Sequence, residues 1–281
     1  MRLIGSVCNG SGAHNEDHWG YAGSTEDVSV AWVLDGVTGI NETKLFDASS
    51  DARWLVLKAS ARLQSLAADE VPLKTLLAEL VHGLCDDVRE ALGGEGFPPG
   101  HDPPAACLML VKLYGDGWQM LQLGDSSLLW RRRGDGGLGS VVPDKTTDYT
   151  LANLAAQARR DGITDIKALL ASFRARFHGE RQKRNQPGGY SILEANPAAV
   201  TLAQVSAMGT PAQILLCTDG YYRAVDHYGL HDDAGLLDAS CRPEGAVQVL
   251  AAIRAAEALD PQCERFPRFK PADDATAVVL G

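Results

Sequence analysis

The spacing of apolar residues predicts strands and helices in separate blocks along the chain. Residues 28–34 form a valine-rich apolar run that ends at Asp35, which is typical of a buried strand entering a turn. The first third as a whole reads strand, strand, helix, helix. Apolar residues at helical spacing predict one helix over residues 52–66 and another that starts at Pro72 and ends at Gly93.

Turn residues divide the middle of the chain into short strands. A Gly- and Pro-rich loop at 93–104 precedes apolar segments at 107–113, 118–123 and 128–132, which are separated by turns containing Gly and Asp. We predict that these segments form one antiparallel meander. Residues 145–190 differ, because helical spacing returns beside a basic stretch. They predict two helices that form an insertion or flap over one sheet edge, or a partner-binding element.

The last third predicts a return to strands. Apolar residues 214–217 run into an Asp-Gly pair at 219–220, a helix is expected over 246–258, and 275–280 predict a terminal strand. Strands interrupted by blocks of helix favour an α+β fold with helices outside antiparallel sheets. A length of 281 residues with 45% hydrophobic content is sufficient for one large core, so we expect a single domain over 1–281.

Composition argues against several kinds of protein. The net charge of −10 would repel nucleic acids and anionic membranes, so neither is expected as a partner. Residues 1–5 become polar too soon for a signal peptide, and no run reaches the roughly 20 apolar residues of a spanning helix, so we expect a cytoplasmic protein. The six cysteines include no C-x-x-C pair, which favours reduced thiols over disulfides or zinc.

Carboxylates recur at the ends of the predicted apolar strands. Asp35 and Asp219 each follow such a strand, Asp273 precedes one, and Glu16 and Asp17 begin a further short segment. Carboxylates that converge repel one another, and hard cations such as Mg²⁺ or Mn²⁺ relieve that repulsion. Each pair alone has an ordinary interpretation, since Asp-Gly after a strand is usually a tight turn and an acidic loop pair is usually solvated.

Taken in order, these motifs resemble those of the protein phosphatase 2C family, in a divergent bacterial-type form. They read Asn-Glu-Asp at 15–17, Val-Leu-Asp-Gly-Val-Thr-Gly at 33–39, Leu-Gly-Asp-Ser at 123–126, Leu-Cys-Thr-Asp-Gly at 216–220 and Asp-Asp-Ala-Thr-Ala-Val at 273–278. The resemblance spans nearly the whole chain. It implies a four-layer α/β/β/α sandwich of two antiparallel β-sheets flanked by helices, with two Mn²⁺ or Mg²⁺ ions at one end and a weak third.

The resemblance also implies a reaction and a role for each matching residue. It implies hydrolysis of phosphoserine and phosphothreonine, in a protein phosphorylated by a serine/threonine kinase, by attack of a hydroxide that bridges two metals. Asp35 would bridge both metals, and Asp17 would hold metal-bound water. The other implied ligands are Glu16 and the Gly36 carbonyl for one ion, Asp219 and Asp273 for the second, and Asp125 for the third.

Three positions depart from the family pattern. The arginine that normally grips the substrate phosphate, four residues before the glutamate, is Gly12 here. Arg223 stands where many relatives have an aspartate for the third metal. We hypothesise that Arg223 replaces the phosphate clamp, since guanidinium pairs bidentately with phosphate; the alternative is an arginine in a surface ion pair. Val37 replaces a frequent His or Met, so this position offers no general acid.

Other functions were weighed against the phosphatase. A pseudophosphatase of the same fold, acting as a binding or regulatory module, is favoured by the missing arginine and opposed by the retained carboxylates. A haloacid-dehalogenase-type loop at Asp35 would need an acid where Val37 stands. The chain has no G-x-S-x-G, P-loop or G-x-G-x-x-G motif. The sequence does not decide the substrate protein, the choice between Mn²⁺ and Mg²⁺, or the oligomeric state.

Overall fold

Two antiparallel sheets form the centre of the molecule. A computed structural model describes residues 1–12, 14–67, 70–144, 146–163 and 165–281, and the side chains of all of these except 146–149, 166 and 167. The strands are β1 (Leu3–Asn9), β2 (Asp17–Ser24), β3 (Asp27–Gly36), β4 (Ala106–Tyr114), β5 (Gly117–Leu123), β6 (Ser127–Arg132), β7 (Leu138–Val141), β8 (Gln204–Gly209), β9 (Pro211–Cys217) and β10 (Ala275–Leu280). The helices are α1 (Asp51–Leu66), α2 (Leu73–Ala91), α3 (Thr146–Arg160), α4 (Ile166–Arg181), α5 (Ala198–Leu202), α6 (Asp219–Asp226), α7 (Asp233–Ser240) and α8 (Gly245–Ala258).

The sheets pack face to face, and helices cover their outer faces. The first sheet has the order β1-β10-β9-β6-β7 and the second β2-β3-β4-β5-β8. Side chains alternate along each strand, so Val33 of β3 joins Leu216 and Val278 between the sheets. The next residue, Leu34, faces outward and packs with α1 and α2. Helices α6, α7 and α8 cover the first sheet. The predicted four-layer α/β/β/α sandwich is confirmed.

Strand pairing brings carboxylates that are distant in sequence to one end of the sandwich. Antiparallel pairing of β2 with β3 places Asp17 opposite Asp35. In the first sheet, β9 pairs antiparallel with β10. The end of β9 and the start of β10 therefore lie together, and with them lie Asp219 and Asp273. These rigid strand ends carry the acidic groups of the candidate site.

The predicted meander is wrong at its third strand. Strands β4 and β5 pair as the expected hairpin, but β6 pairs with β7 and β9 in the other sheet. The crossing occurs at Gly124, whose φ is +81° and whose position lies so close to Cys107 that a Cβ would be 2.4 Å from its sulfur. Glycine permits that conformation, which carries the chain from one sheet to the other.

Several elements were absent from the sequence prediction. The first third contains three strands, whereas the sequence predicted two. Strand β1 was missed because it is half-buried along most of its length and shows little apolar contrast. Asp219 begins helix α6 instead of closing a tight turn, and α7 follows it. Among the described helices, none has the length and apolar character that crossing a bilayer requires.

Helices α3 and α4 occupy the interval that was predicted to be an insertion or flap. Lys145 and Thr164, within this interval, lie outside the described residues. Helix α4 contacts the loop that follows β3, since Arg174 Nη2 donates to the Ile40 carbonyl at 2.9 Å and Arg181 Nη2 to the Thr38 carbonyl at 2.5 Å. The role of residues 145–190 as an insertion or flap stays a prediction.

A buried ion pair fixes the loop that leads into β10. Arg268 is 2% exposed, and its Nη1 donates to Asp260 Oδ2 at 2.6 Å. Its Nε donates to the Pro271 carbonyl at 2.9 Å. The Asp260 carboxylate also accepts from the backbone N–H groups of Glu264, Arg265 and Phe266. This network determines the path of residues 260–271, and hence the position of Lys270.

Candidate metal centre

An acidic cavity of about 150 Å³ opens where the strand ends meet. Its carboxylates are Glu16, Asp35, Asp125, Asp219, Asp273 and Asp274, and Gly36, Thr38 and Lys270 also line it. All six residues that the resemblance assigned to metal binding therefore lie on one cavity. Asp17 and Arg223, which were predicted to be catalytic, lie outside this lining but contact groups that belong to it or flank it. The role of each as a ligand or catalytic group stays a prediction.

Asp35 lies at the end of β3, where most of the charges near it are repulsive and Lys270 is the cation that interacts with it from a distance. No hydrogen bond or ion pair to its carboxylate occurs within the described part of the chain. Burial raises the pKa of the Asp35 carboxyl, and the carboxylates of Asp17, Asp219, Asp125 and Asp273 raise it further. An anion in this setting gains from a bound cation, which makes Asp35 the group best suited to contact a metal.

Glu16 is oriented by neutral hydroxyl groups. Thr38 Oγ1 donates to one carboxylate oxygen at 2.7 Å, and Ser50 Oγ donates to the other at 2.6 Å. Ser50 also caps the N-terminus of α1 by accepting from the Arg53 N–H. Gly36 packs so closely that a Cβ would lie 2.7 Å from the Glu16 carbonyl oxygen. These contacts orient Glu16 without cancelling its charge.

Asp17 is buried beside the cavity and has one carboxylate oxygen without a partner. The side chain is 1% exposed, and Thr218 Oγ1 donates to Oδ2 at 2.8 Å. The other oxygen, Oδ1, has no hydrogen-bond partner among the described residues. Burial raises the pKa of this carboxyl, although the hydrogen bond from Thr218 opposes the rise. A buried acceptor without a donor is costly, so Asp17 fits a bound water or ion as its partner.

Arg223 forms a partly buried ion pair with the second group of predicted ligands. Its Nη2 donates to Asp273 Oδ2 at 2.6 Å and lies 3.7 Å from Asp219 Oδ2. Burial lowers the pKa of the guanidinium, but Asp273 and Asp219 outweigh burial and raise it. Of the two sequence interpretations, the structure contains the ion pair, in a partly buried rather than a surface setting.

Lys270 lines the cavity, although the sequence did not single it out. Its Nζ lies 3.3 Å from Asp273 Oδ1 and donates to Thr38 Oγ1 at 3.1 Å. Burial lowers the pKa of Lys270, but the Asp273 and Glu16 carboxylates outweigh burial and raise it. Its position three residues before the acidic motif is the only sequence signal, and a lysine in a loop is ordinarily solvated.

Asp274 ties the loop that contains Gly12 to the start of β10. Its Oδ1 accepts from the Ser11 backbone N–H at 2.7 Å, and its Oδ2 accepts from the Glu16 N–H at 2.7 Å. The resemblance had given Asp274 no role. Asp125, beyond β5, accepts from the Cys107 thiol at 3.0 Å. Asp274 is therefore a positioning residue, while Asp125 keeps a carboxylate on the cavity.

The carboxylates in one half of the cavity suit hard divalent cations, whereas those in the other half already have cationic partners. Around Asp35 and Glu16 the carboxylates lack a cationic partner at contact distance, and oxygen ligands suit Mg²⁺ and Mn²⁺. Around Asp219 and Asp273, Arg223 and Lys270 supply positive charge. As the side chains stand, the described residues contain no group of three or more His, Cys, Asp or Glu arranged to hold a metal ion.

Two packed antiparallel sheets with a carboxylate-lined cavity at one end define the architecture of metal-dependent serine/threonine phosphatases. The family model for protein phosphatase 2C matches residues 4–256. The chain belongs to the protein phosphatase 2C family, as its motifs predicted. A search among curated proteins found no match.

Solved structures agree with this assignment at the level of the fold. The serine/threonine phosphatase PstP/Ppp of Mycobacterium tuberculosis is 18% identical, with 98% of this chain and 96% of that chain covered and a TM-score of 0.56. The PstP catalytic domain in complex with two manganese ions is 19% identical, with 98% and 95% covered and a TM-score of 0.54. PppA of Pseudomonas aeruginosa, described as a regulatory component of T6SS, is 18% identical, with 98% and 95% covered and a TM-score of 0.51.

Proposed function

We propose that this protein is a metal-dependent phosphoprotein phosphatase that hydrolyses phosphoserine and phosphothreonine. One observation carries the proposal: all six predicted metal-binding positions, from five separate parts of the chain, line a single cavity. The family match and the manganese complex of a structural neighbour support it. The substrate would be a protein phosphorylated by a serine/threonine kinase.

The cavity residues would hold two Mn²⁺ or Mg²⁺ ions. Asp35 would serve both ions. Glu16 and the Gly36 carbonyl would serve one ion, and Asp219 and Asp273 the other, once released from their protein partners. Asp125 would serve a weak third. When bound, two such cations would lower the pKa of a bound water and offset charge on a phosphoryl group.

The chain's own polar groups would orient the reactants. Asp17 presents the unpartnered Oδ1 to accept a hydrogen bond from the attacking water, while Thr218 fixes its other oxygen. Thr38 and Ser50 hold Glu16 in place. Arg223 was predicted to clamp the substrate phosphate, and in the structure it forms an ion pair with Asp273. Binding a substrate phosphate would require Arg223 to leave Asp273, so its direct effect in the ground state is to position Asp219 and Asp273.

The decisive experiment measures hydrolysis of a phosphothreonine peptide with Mn²⁺ and after chelation. We expect turnover that is lost with chelator and that falls by about 10²-fold in Asp219→Ala, because a proposed ligand of the second ion is removed. Asp238→Ala is the matched control, since Asp238 also pairs with an arginine, Arg131, but lies outside the cavity. Turnover that persists in the chelated wild-type protein would refute the proposal.

A pseudophosphatase is the second candidate, and two observations favour it. The phosphate-gripping arginine is replaced by Gly12, and Asp273 is held by Arg223 and Lys270. Metal-dependent turnover of para-nitrophenyl phosphate separates the candidates. A protein that binds phosphopeptide but never turns over this small substrate would be the binding module.

Introducing arginine at position 12 tests the missing clamp. A Cβ at Gly12 would meet no heavy atom within 4 Å, so a side chain fits there. We expect Gly12→Arg to lower KM for the phosphopeptide by about tenfold, because a charge-assisted hydrogen bond to phosphate contributes about 1.5–3 kcal/mol. Gly12→Gln is the uncharged control. Equal KM values for the Arg and Gln variants would show that this loop does not reach the phosphate.

A further inference from the structure

Both oxygens of the Asp273 carboxylate already have cationic partners. Arg223 Nη2 donates to Oδ2 at 2.6 Å, and Lys270 Nζ donates to Oδ1 at 3.3 Å. The Asp274 backbone N–H also donates to Oδ1, at 3.1 Å. The same guanidinium lies 3.7 Å from Asp219 Oδ2. A metal ion that binds in this half of the cavity would therefore have to compete with two positive charges that already pair with its carboxylates.

In the other half of the cavity, no cation among the described residues contacts a carboxylate directly, although Lys270 interacts with Glu16 and Asp35 from a distance. Asp35 has no donor among the described residues, and Glu16 accepts only from the hydroxyl groups of Thr38 and Ser50. Hydroxyl donors orient a carboxylate but leave its charge in place. The two halves therefore differ in charge, although each contains the carboxylates that the family uses for metal.

We propose that Arg223 and Lys270 are built-in counter-ions, so that the protein binds one divalent cation tightly beside Asp35 and a second only by displacing Lys270. This inference rests on the proposed phosphatase function and concerns the metal occupancy of the same site. Separating a partly buried ion pair leaves uncompensated charge, so the second ion must offset that loss before it gains any affinity. The concentration of free metal then sets how much of the protein carries both ions.

Lys270 is the partner that moves, and Arg223 is the partner that stays. The Lys270 side chain is 35% exposed at the cavity wall and has a flexible stem with a single charged end. The Arg223 side chain is 16% exposed and spans two carboxylates. Release of Lys270 toward solvent removes the cation from Asp273 Oδ1, whereas release of Arg223 would expose both acids to each other.

The test is Mn²⁺ titration of metal-free protein by calorimetry, with free Mn²⁺ counted by electron paramagnetic resonance. In wild type we expect one Mn²⁺ ion to bind tightly and a second to bind at least about 10²-fold more weakly. Lys270→Ala should tighten the second ion by about tenfold and leave the first unchanged.

Lys58→Ala is the matched control. Lys58 Nζ lies 3.3 Å from Asp87 Oδ1, and Arg62 holds the other oxygen of the same carboxylate, which reproduces the Lys270–Asp273–Arg223 arrangement outside the cavity. This variant should bind both ions as wild type does. Lys270→Met, which keeps much of the apolar stem, provides a second variant if Lys270→Ala unfolds.

Each outcome of the titration has a defined meaning. Two ions of equal affinity in wild type, or a second affinity that neither Lys270 variant changes, would overturn the counter-ion inference and leave the phosphatase proposal intact if turnover is present. Failure of wild type and every variant to bind Mn²⁺ would overturn both.

Discussion

Replacing Asp35 with asparagine is expected to lower Mn²⁺-dependent phosphatase activity by about 10³-fold or more, while stabilising the metal-free protein by about 1 to 2 kcal/mol. The carboxylate has no hydrogen-bond donor in the described structure and faces other carboxylates. Without metal, its negative charge is therefore a cost that the neutral amide removes. With metal, the same charge is the group best placed to contact the ion, and its loss removes that contact.

The measurement combines phosphopeptide turnover with chemical unfolding in the presence of chelator. Asp87→Asn is the matched control for stability, because Asp87 is similarly shielded but pairs with both Arg62 and Lys58. Burial raises the pKa of Asp87, yet these two cations outweigh it and lower the pKa. Asp87→Asn should therefore destabilise the protein, whereas Asp35→Asn should stabilise it. A loss of metal-free stability in Asp35→Asn would contradict the electrostatic account.

Replacing Arg268 with methionine is expected to destabilise the protein by about 3 to 5 kcal/mol, because it leaves the buried Asp260 carboxylate without its cation. Arg268 also donates to the carbonyls of Glu257, Asp260, Phe266 and Pro271, so several acceptors lose a donor together. The loop that carries Lys270 would lose its anchor. We therefore expect the second Mn²⁺ affinity to change as well.

Equilibrium unfolding measures this effect, and Arg132→Met is the control. Arg132 pairs with Asp135 through two nitrogens but is 49% exposed, so its loss should cost much less stability than the loss of Arg268. Adding Asp260→Asn to Arg268→Met should recover part of the stability. A change in Arg268→Met as small as that in Arg132→Met would show that the buried pair does not stabilise the loop.

The same ion pair gives a pH dependence with a defined sign. Burial raises the pKa of the Asp260 carboxyl, but the backbone N–H of Phe266 and the Arg268 side chain outweigh it and lower the pKa to about 2. A depressed carboxyl pKa stabilises the folded state fully above the ordinary value of 3.8. The contribution is lost as pH falls from that value toward 2. Unfolding of Arg268→Met should show less of this acid dependence.

The sequence by itself determined the elements whose apolar pattern is local. Strand β3, helices α1 and α2, the β4–β5 hairpin and strand β10 were predicted because each shows a continuous apolar run, a helical stripe or a turn signal within its own residues. The order of the acidic motifs also predicted which residues line one cavity, since a strand end fixes the position of the carboxylate beside it. Strand β1 and helices α6 and α7 were missed, because short or half-buried elements show little apolar contrast.

Only the tertiary structure decided which cations neutralise the acidic cavity. Arg223 and Asp273 are 50 residues apart, and Lys270 meets Thr38 across 232 residues. Strand β6 likewise joined the opposite sheet through the backbone conformation at Gly124. Periodicity describes how one element buries its own face. The charge around a carboxylate depends instead on which distant elements pack beside it, and that is settled only when the whole chain has folded.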